Sequence, residues 1–555
     1  MTAPSRRVRD AVWLTCIIVG FVGLAVFFAH YLVTWDGEFG YLVFGRMLMH
    51  GEVRLFQDEM TGQRLPLPYY FIGLSQLIAG PNLLAGRLAS VGLGALVVGL
   101  TFALGRSLSG SPCGFLSALF LVTHGMVVGY YAGASYDSLC SLFIVTGLLA
   151  ISLERPPWSS VVGMACFSGL SLSRANLAVM VPAVLVYLWL RAHGRRERLA
   201  LVAAAVLPPL AFLVWSQEHL KILAYMPVVH RFVEPLGYRS LFALQEFPEG
   251  RPWVESVWWF IRRHFVWVAA TAILAGAAVA SRPFRGSGRW PSPPALVLFM
   301  GGLTVYALVC QVLILNMYFK GVAAWAPAFA PLWAVVLGYG ASVLLTPGAA
   351  PTPVRTIVAA SLLVLFALGP TWSRHTAMPL VLPAETTTIG VLEAEAARIR
   401  SIVPAGRRVF FFGTNPIPAY LAGVSPYLQQ VLHTRTFVPS RDDYVVSRSG
   451  LWGPRQVDTW LSRDAPYALV EPGLLAVYKN NEPSYRPVIG QIESLLARHF
   501  TLVAKGGETP WTPSFLIYAR KSPAATAQGQ ELEPRGGQAG AEDRITHGDH
   551  PAPTN

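Results

Sequence analysis

The chain has 555 residues, a mean hydropathy of +0.46 and 53% hydrophobic residues, and only 13% of its residues are charged. Soluble domains carry about 25% charged residues, so an ordinary soluble enzyme is excluded and a membrane protein is indicated. The formal charge of +13 comes mostly from arginines between apolar segments, which points to lipid headgroups and phosphates, and not to nucleic acid, as partners.

Arg6, Arg7 and Arg9 precede an apolar run over residues 11–33. The run is too long for a secretory signal core and lacks a small-x-small cleavage site, so it reads as an uncleaved first span. Further apolar segments follow at 84–108, 113–131, 136–153, 158–173, 176–191, 199–215, 264–281, 294–315, 322–346 and 354–373. At roughly 20 residues per crossing these make about eleven transmembrane helices. Arg106, Arg155, the group Arg191, Arg195, Arg196 and Arg198, the group Arg282, Arg285 and Arg289, and Arg355 fall in alternate loops. The positive-inside rule puts those loops and the N-terminus (residues 1–10) in the cytoplasm. An odd number of crossings from 11 to 373 then delivers the C-terminal region to the outside. The expected location is the inner (plasma) membrane of a bacterium.

Two long outer loops are expected, 34–83 and 216–263. The second holds Lys221, Arg231, Arg239, Arg251, Arg262 and Arg263 against the charge rule. It reads either as a headgroup-facing loop or as a basic wall for a phosphate. Tyr41, Leu42, Phe44, Leu48 and Met49 can form one apolar face of a helix lying flat on the outer leaflet. Trp253, Val257, Trp258, Phe260 and Ile261 can do the same, and the Trp258-Trp259 pair reads as an interface anchor.

Beyond residue 380 the composition becomes that of a small α/β domain, expected over 374–521 outside the membrane. Residues 393–403 read as a helix, Arg408–Phe412 as a buried strand, Tyr467–Val470, Thr501–Val503 and Phe515–Tyr518 as further strands, and Ile489–Phe500 as a helix. From Ser522 to the end the polar, Gly- and Pro-rich composition predicts a disordered tail. The five cysteines, Cys16, Cys113, Cys140, Cys166 and Cys310, lie in or beside apolar segments with no metal-type spacing, and read as free thiols.

The chemistry sits in the first outer loop. Asp36 and Glu38 follow the first span directly. Asp58 comes next, then Leu65-Pro-Leu-Pro-Tyr-Tyr70, and the next span opens with Arg87-Leu88. In this order the chain resembles the N-terminal part of the C-type glycosyltransferases, notably the protein O-mannosyltransferases and the lipid A aminoarabinose transferase. There an acidic pair follows the first span, succeeded by a short helix like Met47–Gly51, an acid like Asp58 and a proline-tyrosine segment like Pro66–Tyr70. The pair is usually adjacent in that group, whereas here Gly37 separates its two members. The likeness covers roughly residues 11–110; the middle third matches only in hydropathy.

The resemblance implies a mainly α, polytopic membrane fold with a C-terminal extracytoplasmic α/β domain. It also implies transfer of a sugar from a polyprenyl phosphate to an acceptor hydroxyl of a periplasmic glycan, lipid or protein, with inversion. Such chemistry needs a base at the acceptor oxygen and cations at the departing phosphate. By position Asp36 is the base, with Glu38 and Asp58 orienting acceptor or sugar; Asp36 also precedes a helix and can cap it. Lys320 and Tyr318, in Asn316–Lys320 between two spans, are candidate phosphate partners, with snorkelling as the alternative for Lys320. Arg174 in a short outer turn, and His230 and Arg231 in the long loop, are further candidates. Asp137 is an outer-end acid expected to cap the fourth span. Paired acids hold a metal in some C-type oligosaccharyltransferases; the mannosyltransferase-like group implies none here, and no other cofactor. Two rivals are a flippase for lipid-linked glycans and a non-catalytic scaffold. Few mid-span charges and no related halves weigh against the first, and the first-loop acids weigh against the second.

Overall fold

The computed structural model describes residues 6–32, 36–54, 65–153, 158–215, 258, 260–262, 264–281, 294–310, 326–371, 388–413, 415–432, 437–439, 446, 452–481, 483–506 and 515–521. Helix α1 (Arg6–Tyr31) is followed by α2 (Asp36–Phe39), a π-helical turn (Gly40–Phe44), α3 (Gly45–Met49) and α4 (Pro66–Ala79). Pro66 opens α4, where its missing N–H costs nothing. Helix α5 (Leu83–Val122) starts at Asn82, whose side chain accepts from the amide of Ala85 at 2.9 Å. Its 40 residues are two helices in sequence: Ser109 and Gly110 leave helical geometry just before Pro112. Gly110 has φ 80°, which a side chain would strain. At this break Ser111 donates to Asp10 Oδ2 at 2.5 Å, and Arg106 lies 3.9 Å from the same oxygen, fastening the start of α1 to the turn.

The bundle continues with α6 (Gly125–Ala132), α7 (Asp137–Ser152), α8 (Trp158–Ser171), α9 (Met180–Arg191), α10 (Arg195–Trp215), α11 (Phe265–Ala280), α12 (Ala295–Val309), α13 (Ala330–Leu345) and α14 (Thr352–Leu368). Helices α5 and α13 form its centre, and Gly338 of α13 meets Ser117 of α5 so closely that no Cβ would fit. Leu190, Leu363, Leu298, Ile357 and Val19 remain exposed on helices without a polar face, as lipid-facing residues do. Among the described residues, Arg7–Tyr31, Leu83–Val122 and Pro327–Leu345 are long and apolar enough to cross a membrane. The pair α6 and α7, bent by 111°, makes a fourth crossing if taken together. Of the other expected spans, α9, α11, α12 and α14 are apolar helices of 12 to 17 residues. At 1.5 Å per residue their described lengths are shorter than the roughly 30 Å hydrocarbon layer. The structure is mainly helical, and the count of eleven rests on the sequence.

The C-terminal region holds α15 (Thr388–Ile402), β1 (Arg408–Phe412), α16 (Ile417–Leu421), β2 (Ser425–Pro426), α17 (Pro454–Thr459), β3 (Tyr467–Val470), α18 (Pro472–Asn481), α19 (Arg486–His499), β4 (Phe500–Lys505) and β5 (Leu516–Arg520). The sheet order is β2-β1-β3-β5-β4, with β1 parallel to both its neighbours and β5 antiparallel to β3 and β4. Arg520 donates to the carbonyls of Trp460, Leu461, Ser462 and Ala465, closing the turn before β3. Ile389, Leu392, Ile417 and Tyr420 belong to the same buried cluster as the helical bundle. Thr388 donates to the carbonyl of Tyr31 at the end of α1, at 2.7 Å.

That packing alters one expectation. Tyr41, Leu42 and Phe44 do not lie on a half-exposed helix: Gly40–Phe44 is buried residue for residue. The turn at Leu428–Leu432 of the C-terminal region packs onto it, so the surface predicted for lipid headgroups is covered by protein.

Candidate functional site

The first loop is held by one buried ion pair. Glu38, on α2, accepts from Arg87 Nε at 2.9 Å through Oε1 and from Nη2 at 2.7 Å through Oε2, a planar two-point contact. Oε1 also accepts from the amide of Ala134 at 2.8 Å, and Arg87 Nη1 donates to the carbonyl of Ala29 at 2.7 Å. Both side chains are wholly buried. Four segments therefore meet at one point: the end of α1, α2, the start of α5 and the turn before α7. Glu38 was expected to orient acceptor or sugar; in the structure both its oxygens accept from Arg87, and Oε1 also accepts from Ala134. With both oxygens committed to a guanidinium, it does not suit a metal. The sequence held a signal for its partner, since an arginine inside an otherwise apolar helix needs a counter-charge.

Beside the anchor lies a cation with aromatic and acidic neighbours. Arg174, in extended backbone after α8, is half-buried and sets its guanidinium carbon 4.3 Å from the centre of the Tyr136 ring. Tyr136 meets Tyr41 edge-on at 6.0 Å, and Tyr41 lies 4.8 Å from Tyr69. Asp137, at the first residue of α7, is fully buried within electrostatic reach of Arg174. Its Oδ2 accepts from Ser135 Oγ at 2.9 Å, while Oδ1 has no hydrogen-bond partner among the described residues. Asp137 does not cap its helix as expected: it is the first residue of α7, not the one before it, no side-chain cap bond forms there, and its own amide donates to Ser135 Oγ at 3.3 Å. Nothing in the spacing of Ser135 and Tyr136 links them to Arg174; the turn between α6 and α7 does, and Tyr41, expected only on an apolar helix face, joins them through Tyr136.

Of the residues singled out from the sequence, the fold brings Glu38 and Arg174 to the same end of the bundle. The backbone of Asp36 opens α2, two residues before Glu38. Asp58, His230, Arg231, Tyr318 and Lys320 lie outside the described residues. On the flank of the bundle, Pro182, Val186, Phe299, Leu303 and Tyr306 line an almost wholly apolar groove of about 460 Å³ between α9 and α12.

Comparison with known proteins bears on this geometry. The family model for dolichyl-phosphate-mannose-protein mannosyltransferases matches residues 63–221. An undecaprenyl phosphate-alpha-4-amino-4-deoxy-L-arabinose arabinosyl transferase of Pseudomonas fluorescens (strain Pf0-1) is 29% identical over 167 residues, 28% of this chain and 28% of that relative's length. A second such transferase of the same strain is 26% identical over 279 residues, covering 46% of this chain and 48% of the relative. The aligned part thus spans less than half of these relatives. In structure, ArnT from Cupriavidus metallidurans bound to undecaprenyl phosphate superposes with a TM-score of 0.58 at 11% identity, covering 94% of this chain and 99% of that one. Its apo form gives a TM-score of 0.54 at 12% identity, with 92% and 98% covered. The chain has the fold of the C-type glycosyltransferases and resembles, within that superfamily, the group of the arabinosyl and mannosyl transferases.

Proposed function

We propose that the chain is a membrane glycosyltransferase that moves a sugar from a polyprenyl-phosphate donor to an acceptor hydroxyl on the periplasmic face, with inversion at the anomeric carbon. The observation that carries this reading is a cation and a buried acid, Arg174 and Asp137, set beside a firmly pinned acidic first loop at one end of an apolar bundle. Relatives named for transfer from undecaprenyl phosphate, and the solved fold-mate with that lipid bound, support the donor class. The isoprenoid chain of such a donor suits the apolar groove between α9 and α12.

In the reaction the acceptor hydroxyl attacks the anomeric carbon opposite the phosphate. The new C–O bond forms as the bond to the phosphate oxygen breaks, and the polyprenyl phosphate leaves with both electrons. The hydroxyl proton passes to a carboxylate, assigned to Asp36, with Asp58 orienting the sugar. Arg174, Lys320, His230 and Arg231 are assigned to neutralise the phosphate, with Tyr318 donating a hydrogen bond to it. Asp137 joins the acidic side of the site.

We assign the helix ends bearing Arg106, Arg191, Arg195, Arg196, Arg198 and Arg355 to the cytoplasm, with about eleven crossings and the C-terminal α/β region outside. These arginines sit at the ends away from the Glu38 anchor, on the alternation of α5, α9, α10 and α14. The test is transfer from polyprenyl-monophosphate sugars in proteoliposomes. Asp36→Asn is expected to lower turnover by roughly 10²–10⁴-fold. Near-normal turnover of that variant with an intact fold removes Asp36 as the base.

A further inference from the structure

Besides the packing of Leu428–Leu432 on Gly40–Phe44, the C-terminal region touches the first loop through a buried chain of hydrogen bonds. Tyr420, on α16 and only 4% exposed, donates from its hydroxyl to Gln76 Oε1 on α4 at 3.0 Å. Gln76 is fully buried; the same oxygen accepts from the amide of Asn82 at 3.0 Å, and Nε2 donates to Ser75 Oγ at 3.0 Å. Asn82 in turn caps α5 through Ala85, two residues ahead of Arg87. Gly86 closes the circuit: a Cβ there would stand 2.5 Å from Leu42, 3.2 Å from Ala134 and 3.3 Å from Gln76 Nε2. The amide of Gln76 thus packs against the residues that surround the Glu38–Arg87 pair.

We propose that Tyr420 is a positioning residue for the sugar-transfer site, through which the C-terminal region sets α4 and the start of α5 and thereby the placement of the Glu38–Arg87 anchor. A buried amide oxygen taking two donors at once is directional, so it fixes α4 against α5 in one register. Burial pushes the Tyr420 phenol well above its ordinary range, so the hydroxyl stays a donor at any working pH. The inference rests on the reaction proposed above for its kinetic meaning, and on geometry alone for its structural one.

The test is Tyr420→Phe in the full chain, which removes one hydroxyl and keeps the ring. Turnover is expected to fall about tenfold with the KM for the lipid-linked donor little changed, since small misplacements near a reacting centre act on the chemical step. Hydrogen exchange followed by mass spectrometry is expected to speed up in peptides of residues 66–90, with the sheet strands 408–412 and 467–470 as protected as before. Gln76→Leu should reproduce both effects, and adding Tyr420→Phe to it should do nothing more. Unchanged exchange in 66–90 overturns the coupling whether or not the chain transfers sugar. Additive effects of the two substitutions overturn it as well. Altered exchange with no transfer by the native chain leaves the coupling standing and removes the reaction.

Discussion

Glu38 and Arg87 form a wholly buried ion pair that pins the first loop. Taking two charges out of water is costly, and here four hydrogen bonds in total balance that cost, three to Glu38 and one from Arg87 to Ala29. Removing one partner strands the other, so Glu38→Gln and Arg87→Leu should each cost about 3–5 kcal/mol and lower the melting temperature measured in detergent. Replacing both together with apolar residues should recover part of that loss. Equal stability of the single variants and the native chain would show the pair to be dispensable. Arg174 follows a different logic, because it is half-buried against the ring of Tyr136, whereas Arg87 is locked into a wholly buried ion pair. Arg174→Ala is expected to raise the donor KM about tenfold or more, and Arg174→Lys to recover only part of it, since an ammonium lacks the planar fork. A KM that stays put in both would take Arg174 out of phosphate binding.

At the scale of elements, the first-loop helices depend on close backbone approach. A Cβ at Gly45 of α3 would stand 2.6 Å from the carbonyl of Tyr69 and 2.9 Å from the amide of Gly73 on α4, and Gly73 faces Gly45 in the same way. Backbone atoms cannot step aside as a side chain can. Gly45→Ala and Gly73→Ala should therefore cost about 1–3 kcal/mol each and separate α3 from α4, read as lower melting temperature and faster exchange in both helices. Gly51, with nothing near it in space, gains no such protection from packing but has φ 70°. Among these elements the strands of the C-terminal region were legible early. Tyr467–Val470 was expected and found, because a short apolar run between Pro466 and Pro472-Gly473 is too short for a helix and suits a buried strand. The π-helical turn at Gly40–Phe44 was not, since its apolar residues fit an interfacial helix equally well; burial by Leu428–Leu432 decides between them.

For the whole molecule, the Glu38 anchor and the C-terminal region share one end of the bundle, at the end of α1. Whichever side of the membrane holds one therefore holds the other. In a background without the five native cysteines, Ser401→Cys should react with a membrane-impermeant thiol reagent on intact cells. Thr352→Cys, at the far end of α14, should react only after permeabilisation. The opposite pattern would invert the molecule and place its acids in the cytosol.

Hydropathy and arginine placement are properties of segments, and they sufficed to show a membrane protein with an acidic first loop and an α/β region after it. The order of motifs near Asp36, Glu38, Pro66–Tyr70 and Arg87 also sufficed for the likeness to the C-type glycosyltransferases, whose fold the chain has. Pairings are another matter. That Glu38 closes on Arg87, Arg174 on Tyr136 and Tyr420 on Gln76 depends on residues 38 to 344 positions apart meeting in space. A charge or a hydroxyl carries no mark of its partner along the chain; the partner is chosen when helices pack and each buried polar group must find the donor or acceptor within reach.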